Sequence, residues 1–335
     1  MTSAHKTHTM TSRERFLETM QDGTPDRVPY FEEGLREDVL AGWRRQGLSS
    51  IAELHRRFPS DKRERIEINL EPIPRLDRWP TSLSDMDNFR RHLKLDERRR
   101  LPRKWLQRVR AWRKRDHVLM LYVHPGFFLS MGVRDWRRFH DVMLLTMDQP
   151  ELVRQMMQIQ GELAARLTQR LLNEVDIDAA VFSEPIGGND RPLLAPAMYE
   201  DFVLNSYTPI REVLQRKSVP VILFQTYANA AILVPSILRW GFNCLWACEV
   251  NVDAMDYRHL RNQFGRQLRL IGGIDLDALR QGKAAIKREV ETKVPPLLQQ
   301  GGYVPLADGR VREDVPFDNY VYYRQLVQEI TRGNS

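Results

Sequence analysis

Residues 301–323 read GGYVPLADGRVREDVPFDNYVYY, and the fold is decided by how this stretch is read. Gly301 and Gly302 lead into Tyr303-Val304-Pro305-Leu306, a short apolar run with strand character that stops at Ala307-Asp308-Gly309. A loop of alternating charge runs from Arg310 to Asp314, and Pro316 then opens a helical segment with Asn319 and three tyrosines. A strand that ends in a carboxylate and a glycine and hands over to a helix is one βα unit. If such a unit is the last of a closed series, its strand end looks into the barrel mouth, where these folds keep their chemistry.

Working outward, further strands are expected at 28–31, 65–70, 118–123, 178–182, 219–224, 243–250 and 268–271. Between them lie helical patterns. One covers 11–20 with Ser12 as its N-cap, and another covers 36–46 and is stopped by Gly47. The clearest spans 148–174, where Pro150 sits at the start and Leu152, Met156, Ile159, Leu163, Leu167 and Leu171 form one apolar stripe. Others follow at 197–217, 230–240, 254–264 and 276–300. Eight strands alternating with helices predict an α/β protein, a single (β/α)8 TIM barrel over 12–332 with an N-terminal helical extension. Residues 1–11 read as a flexible tail. An open doubly wound sheet is the alternative, lowered by the lack of a G-x-G-x-x-G after the first strand.

The chain has 335 residues, 42% of them hydrophobic, enough for a sizeable core. No apolar run approaches the roughly 20 residues of a membrane span, and the N-terminus lacks the apolar segment of a secretory signal. Cys244 and Cys248 on one strand would be about 13 Å apart, too far for a disulfide, which suits a reducing cytoplasm. The net charge of +7 is local, because residues 89–115 hold 13 Lys/Arg against Asp96 and Glu97. The segment reads as a solvated helical connection with its arginines outward, or as a docking face for an acidic partner or anionic substrate. Trp105 and Trp112, seven apart, suit one helix face packing on the body, and no nucleic-acid motif is present.

Four pieces carry a family likeness: SRERFLETMQDGTPDRVPYF at 12–31, SEPIGGNDRPLLAPAMYEDFV at 183–203, LIGGIDLDALRQG at 270–282 and GGYVPLADGRVREDVPFDNY at 301–320. In order and spacing the chain resembles the uroporphyrinogen decarboxylase superfamily from about Ser12 to Ile330, closest to its unassigned bacterial members. The resemblance implies a TIM barrel, often dimeric, and either decarboxylation or methyl transfer to a corrinoid on a partner protein. It also shows departures. The Arg-Gln-Ala-Gly-Arg signature of true decarboxylases is replaced by Glu32-Glu33-Gly34-Leu35-Arg36, whose acids would repel a polycarboxylate. The His-x-Cys and Cys zinc ligands of the thiol-directed methyltransferases are replaced by Gln225-Thr226-Tyr227 and Asp308-Gly309, so that zinc site is absent.

Strand-end residues expected to line a barrel mouth are Glu33, His124, Glu184, Gln225, Tyr227, Glu249 and Asp308. Glu184, Glu249 and Asp308 match acidic positions of the family pattern, and crowded carboxylates supply a general acid or base near neutrality. With His124 as a nitrogen ligand they could instead hold a divalent ion, and each could also be a structural hydrogen-bonding group. Tyr227 could donate a proton or pack in the core, and Glu33, Gln225 and Arg310 are candidate substrate contacts. The glycine pairs at 187–188 and 272–273 read as tight turns rather than phosphate cradles. The expectation is a small-molecule enzyme of methyl transfer or demethylation, with a decarboxylase or lyase of a small carboxylic acid as the alternative. A barrel that has lost its catalytic residues and serves as a binding subunit is the non-enzymatic one.

Overall fold

The computed structural model describes residues 9–248 and 255–332. It contains seven strands: β1 (Arg63–Glu67), β2 (Val118–His124), β3 (Ala179–Glu184), β4 (Val221–Tyr227), β5 (Cys244–Cys248), β6 (Arg269–Ile274) and β7 (Tyr303–Ala307). Helices alternate with them, and the described pairings β2–β3, β3–β4, β4–β5 and β6–β7 are all parallel. This is the α/β class and the strand–helix alternation expected of a (β/α) barrel.

The expected first strand does not form among the described residues. Residues 28–31 are extended, but Tyr30 bonds to the single residue Asp61, through both its side chain and its backbone, rather than to a ladder. The Tyr30 N–H donates to Asp61 Oδ2 at 2.7 Å, and the Asp61 N–H donates back to the Tyr30 carbonyl. Pro29 has no donor to offer a neighbouring strand. Asp61 also holds Arg15 and Arg27, so a buried carboxylate takes the place of a partner strand.

The chain divides into two compact units. The first comprises residues 9–64, 116–118 and 257–332. Its opening helix Ser12–Met20 is capped by Thr11 in a capping box with Glu14, one residue earlier than expected, because the Ser12 hydroxyl accepts the Lys62 N–H instead. The helical segment expected at 276–300 is broken by Gly282 into Ala278–Gln281 and Lys283–Gln300. Gly301 and Gly302, at φ of 73° and 61°, turn the chain out of that helix and into β7. In β7 the N–H groups of alternate residues point away from β6. Pro305 has none to offer, and the Ala307 N–H is taken by the Tyr323 hydroxyl at 3.0 Å, from the helix Phe317–Arg332.

The second unit comprises residues 65–115, 119–248 and 255–256, with β2 to β5 side by side. The helix Pro150–Leu172 starts on its proline and buries the predicted stripe, with Ile159 alone half-exposed. It crosses the helical segment that begins at Pro196 almost backbone to backbone, since a Cβ on Gly161 would sit 2.0 Å from the Ser206 carbonyl oxygen. Trp105 and Trp112 stack edge-on at 5.7 Å on one helix, with Trp112 buried, as their spacing suggests. The basic segment is not all outward, however. Arg100 is buried, and Arg115 is sealed against Asp178 at 3.0 Å. Cys244 and Cys248 are both buried. Among the described residues no helix is long and apolar enough to cross a membrane.

Candidate functional site

The sequence places Ser183 and Glu184 next to each other at the end of β3, and the strand pleat sends adjacent side chains to opposite faces. Ser183 lines a cavity of about 410 Å³, together with Tyr122, His124 and Pro125 from the end of β2 and the segment 65–71. Glu184 does not line it. Its carboxylate is fully buried, with Oε1 accepting the Phe127 N–H at 2.8 Å and Oε2 accepting the hydroxyls of Tyr207 at 2.8 Å and Tyr199 at 3.2 Å. Burial without a cation pushes its carboxyl up to about 7, although all three hydrogen bonds pull the other way. The same site holds both tyrosine hydroxyls well above their ordinary range.

The two tyrosines reach one carboxylate because their helix is not regular. Residues Glu200–Leu204 form a π-turn between Pro196–Tyr199 and Asn205–Arg216. In a plain α-helix, residues eight apart point about 80° apart, but one extra residue in the turn brings them within about 20°. Tyr199 and Tyr207 therefore share a face. Sequence reasoning missed both, because their spacing is out of phase for an ordinary helix.

His124 ends β2 one step after a register shift between Tyr122 and His124, which re-aims its side chain. Its ring lies 4.5 Å from that of Tyr207, and its Nδ1 accepts the Gly126 N–H at 3.1 Å. That bond places the ring proton on Nε2, which is buried in the wall region of the cavity and has no partner. Burial lowers the imidazole pKa to about 3, so the ring is neutral and Nε2–H is a donor.

The other expected site residues fall as follows. Gln225 is buried on β4 opposite Ser183 in register, and Tyr227 at the end of the same strand is 37% exposed. The glycine pairs expected as tight turns are not turns. A Cβ on Gly187 would meet the Tyr227 carbonyl oxygen at 1.9 Å and Gly188 bridges Asn229, so that pair allows a close backbone approach. Gly272 and Gly273 lie within β6, paired with Pro305 and Leu306. In the other unit, Glu33 is spent in an ion pair with Arg63, and Arg310 is exposed. Asp308 is buried, and its Oδ1 accepts the Gly273 N–H at 2.8 Å. Burial, with Asp275 and Glu289 nearby, holds its carboxyl well above the usual range. Glu249 lies outside the described residues.

Among the described residues these groups do not assemble a metal set. The His124 Nδ1 and both Glu184 oxygens are occupied by protein donors, and among the described residues no three His, Cys, Asp or Glu side chains come together to hold an ion. Gln225 and Tyr227 do not fit a zinc–thiolate centre either.

In an α/β fold of parallel strands, a cavity at strand ends is where such folds bind small molecules. The chain is matched over residues 66–328 by the model of the uroporphyrinogen decarboxylase family, and it belongs to that family of enzymes. Comparison with curated proteins returns no match.

Proposed function

We propose that the protein is an enzyme acting on a small molecule held at the ends of β2 and β3, and that it is a decarboxylase or lyase of a small carboxylic acid. One observation carries the reading: His124 lines the cavity, and its buried Nε2–H has no partner. An unsatisfied buried donor is costly, and a substrate oxygen that accepts from it removes that cost. In the proposed step the bond from carbon to the carboxylate breaks, CO2 leaves, and the electron pair stays on the substrate. His124 donates to the oxygen on which that charge develops, and water supplies the proton that the carbon takes up. Glu184 and its tyrosines do not reach the substrate. They fix the Tyr207 ring on which His124 rests, and so act as positioning residues.

Methyl transfer or demethylation, with a corrinoid carried by a separate protein, is the second reading. What favours it is the exposed basic face of Arg90, Arg91, Lys94, Arg98, Arg103, Lys104 and Arg110, which suits an acidic partner. Incubation with a panel of small acids labelled with heavy carbon in the carboxyl group tests the choice by mass spectrometry. Labelled CO2 from the wild type, abolished in His124→Phe, is the expected result. Methylation of an added corrinoid protein without CO2 release would replace the first reading by the second.

A further inference from the structure

The cavity at the ends of β2 and β3 also carries information on what enters it. Its lining includes Arg65, Arg99 and Arg100 against Glu67 and Glu71, so with His124 neutral it keeps one net positive charge. Arg100 is the anchor. It is 1% exposed, and its guanidinium donates to the carbonyls of Asn69, Glu71, His92 and Lys94, at 2.8 to 3.1 Å. Among the described residues no carboxylate lies within hydrogen-bond distance of it, and backbone carbonyls, with the field of nearby Asp96, hold its charge. Arg65 lies 3.5 Å above the Tyr122 ring and pairs with Glu67 at 2.5 Å, which fixes its guanidinium at the cavity rim. The side chain of Arg99 is exposed at the same rim. Between these charges and His124 the wall is apolar, made of Ile68, Leu70, Leu101 and Leu129.

From this arrangement, and resting on the enzymatic reading above, we infer that the cavity takes a small monoanion with an apolar body. Its carboxylate meets the guanidinium groups of Arg65 and Arg99 in the field of Arg100, and its apolar body lies along Ile68, Leu70, Leu101 and Leu129 toward the His124 ring. The volume sets the ceiling. About 410 Å³ equals roughly fourteen water volumes at about 30 Å³ each, so the ligand has about a dozen non-hydrogen atoms. A polycarboxylate of tetrapyrrole size exceeds that volume, and its charge exceeds the single positive charge of the lining.

Titration calorimetry on the full chain tests this with benzoate, its neutral counterpart benzamide, the larger trianion benzene-1,3,5-tricarboxylate and inorganic phosphate. The expected result is saturable binding of benzoate, with benzamide and the tricarboxylate each at least about tenfold weaker. Arg65→Gln and Arg99→Gln should each weaken benzoate about tenfold, while nitrogen NMR shows the His124 ring resonance moving on binding in the wild type. Equal affinity for benzoate and benzamide, or benzoate affinity unchanged in both variants, overturns the inference. So does phosphate binding in preference to benzoate, or no saturable binding of any probe. The outcome is separable from that of the proposed reaction, because benzoate that binds as described while no acid releases CO2 overturns only the reaction.

Discussion

Tyr207 touches two groups at once: its hydroxyl donates to Glu184 at 2.8 Å and its ring lies 4.5 Å from that of His124. One side chain thus joins a carboxyl that keeps its proton up to about pH 7 to an imidazole that refuses one until about pH 3.

The first prediction concerns stability against pH. Unfolding lowers the Glu184 pKa to its ordinary value near 4.5 and raises that of His124 to near 6.5. Between about pH 4.5 and 6.5 the folded protein therefore carries one proton on Glu184, and the unfolded chain carries one on His124. The two contributions cancel, and together they add no slope to stability in that window. Glu184→Gln leaves only His124, whose depressed pKa makes stability rise with pH by up to about 1.4 kcal/mol per unit. His124→Phe leaves only Glu184, whose raised pKa makes stability fall as pH rises through the same window. Urea denaturation of the three proteins at several pH values reads these slopes relative to wild type, and parallel curves would refute the assignment.

Tyr207→Phe removes a donor from a buried carboxylate while keeping the ring against His124. We expect a loss of about 1–3 kcal/mol at neutral pH, shrinking below about pH 5 where Glu184 is protonated in both proteins. Tyr199→Phe, which loses the longer bond of 3.2 Å, should cost less. Chemical denaturation at the two pH values checks both the order and the sign.

Gly161→Ala places a methyl carbon 2.0 Å from the Ser206 carbonyl oxygen, and neither backbone has a flexible end to move. The helices must separate, at a cost of about 3 kcal/mol or more. The tyrosine pair downstream should shift with them, so the variant should show a lower melting temperature together with an altered His124 resonance.

Asp308 is buried with its Oδ1 on the Gly273 N–H, and burial raises its carboxyl pKa, so Asn keeps the shape and the acceptor without placing a charge there. Asp308→Asn should fold with stability within about 1 kcal/mol of wild type, because its oxygen still accepts the Gly273 N–H. Asp308→Ala, which leaves that donor unpaired, should lose about 1–3 kcal/mol. Thermal melts of the two variants at neutral pH compare them directly.

The alternation of strand and helix was legible because apolar runs of four to seven residues, bounded by glycine and proline, have few other uses in a chain of this composition. The stripe of Leu152, Met156, Leu163, Leu167 and Leu171 declared its helix for the same reason. Residues 28–31 misled, since nothing local tells an extended segment bonded to a strand from one bonded to Asp61. His124 and Glu184 were visible as polar residues at strand ends. Which face each takes was not, because the shift before His124 and the π-turn that aligns Tyr199 with Tyr207 are tertiary events without a composition signal. Arg100 was hidden for a related reason: in a run of thirteen cations, those turned inward, Arg100 and Arg115, have the same letter as their neighbours.

The far side of β7 has a consequence for association. Strands with free N–H groups along one side recruit strands from other molecules, the first step toward fibrous aggregates. Here Pro305 offers no donor, Ala307 gives its own to Tyr323, and every residue of the strand is buried, so no outside strand reaches its backbone. Cover and spent donors together close this side of β7 to templated polymerisation, in the same segment that carries Asp308.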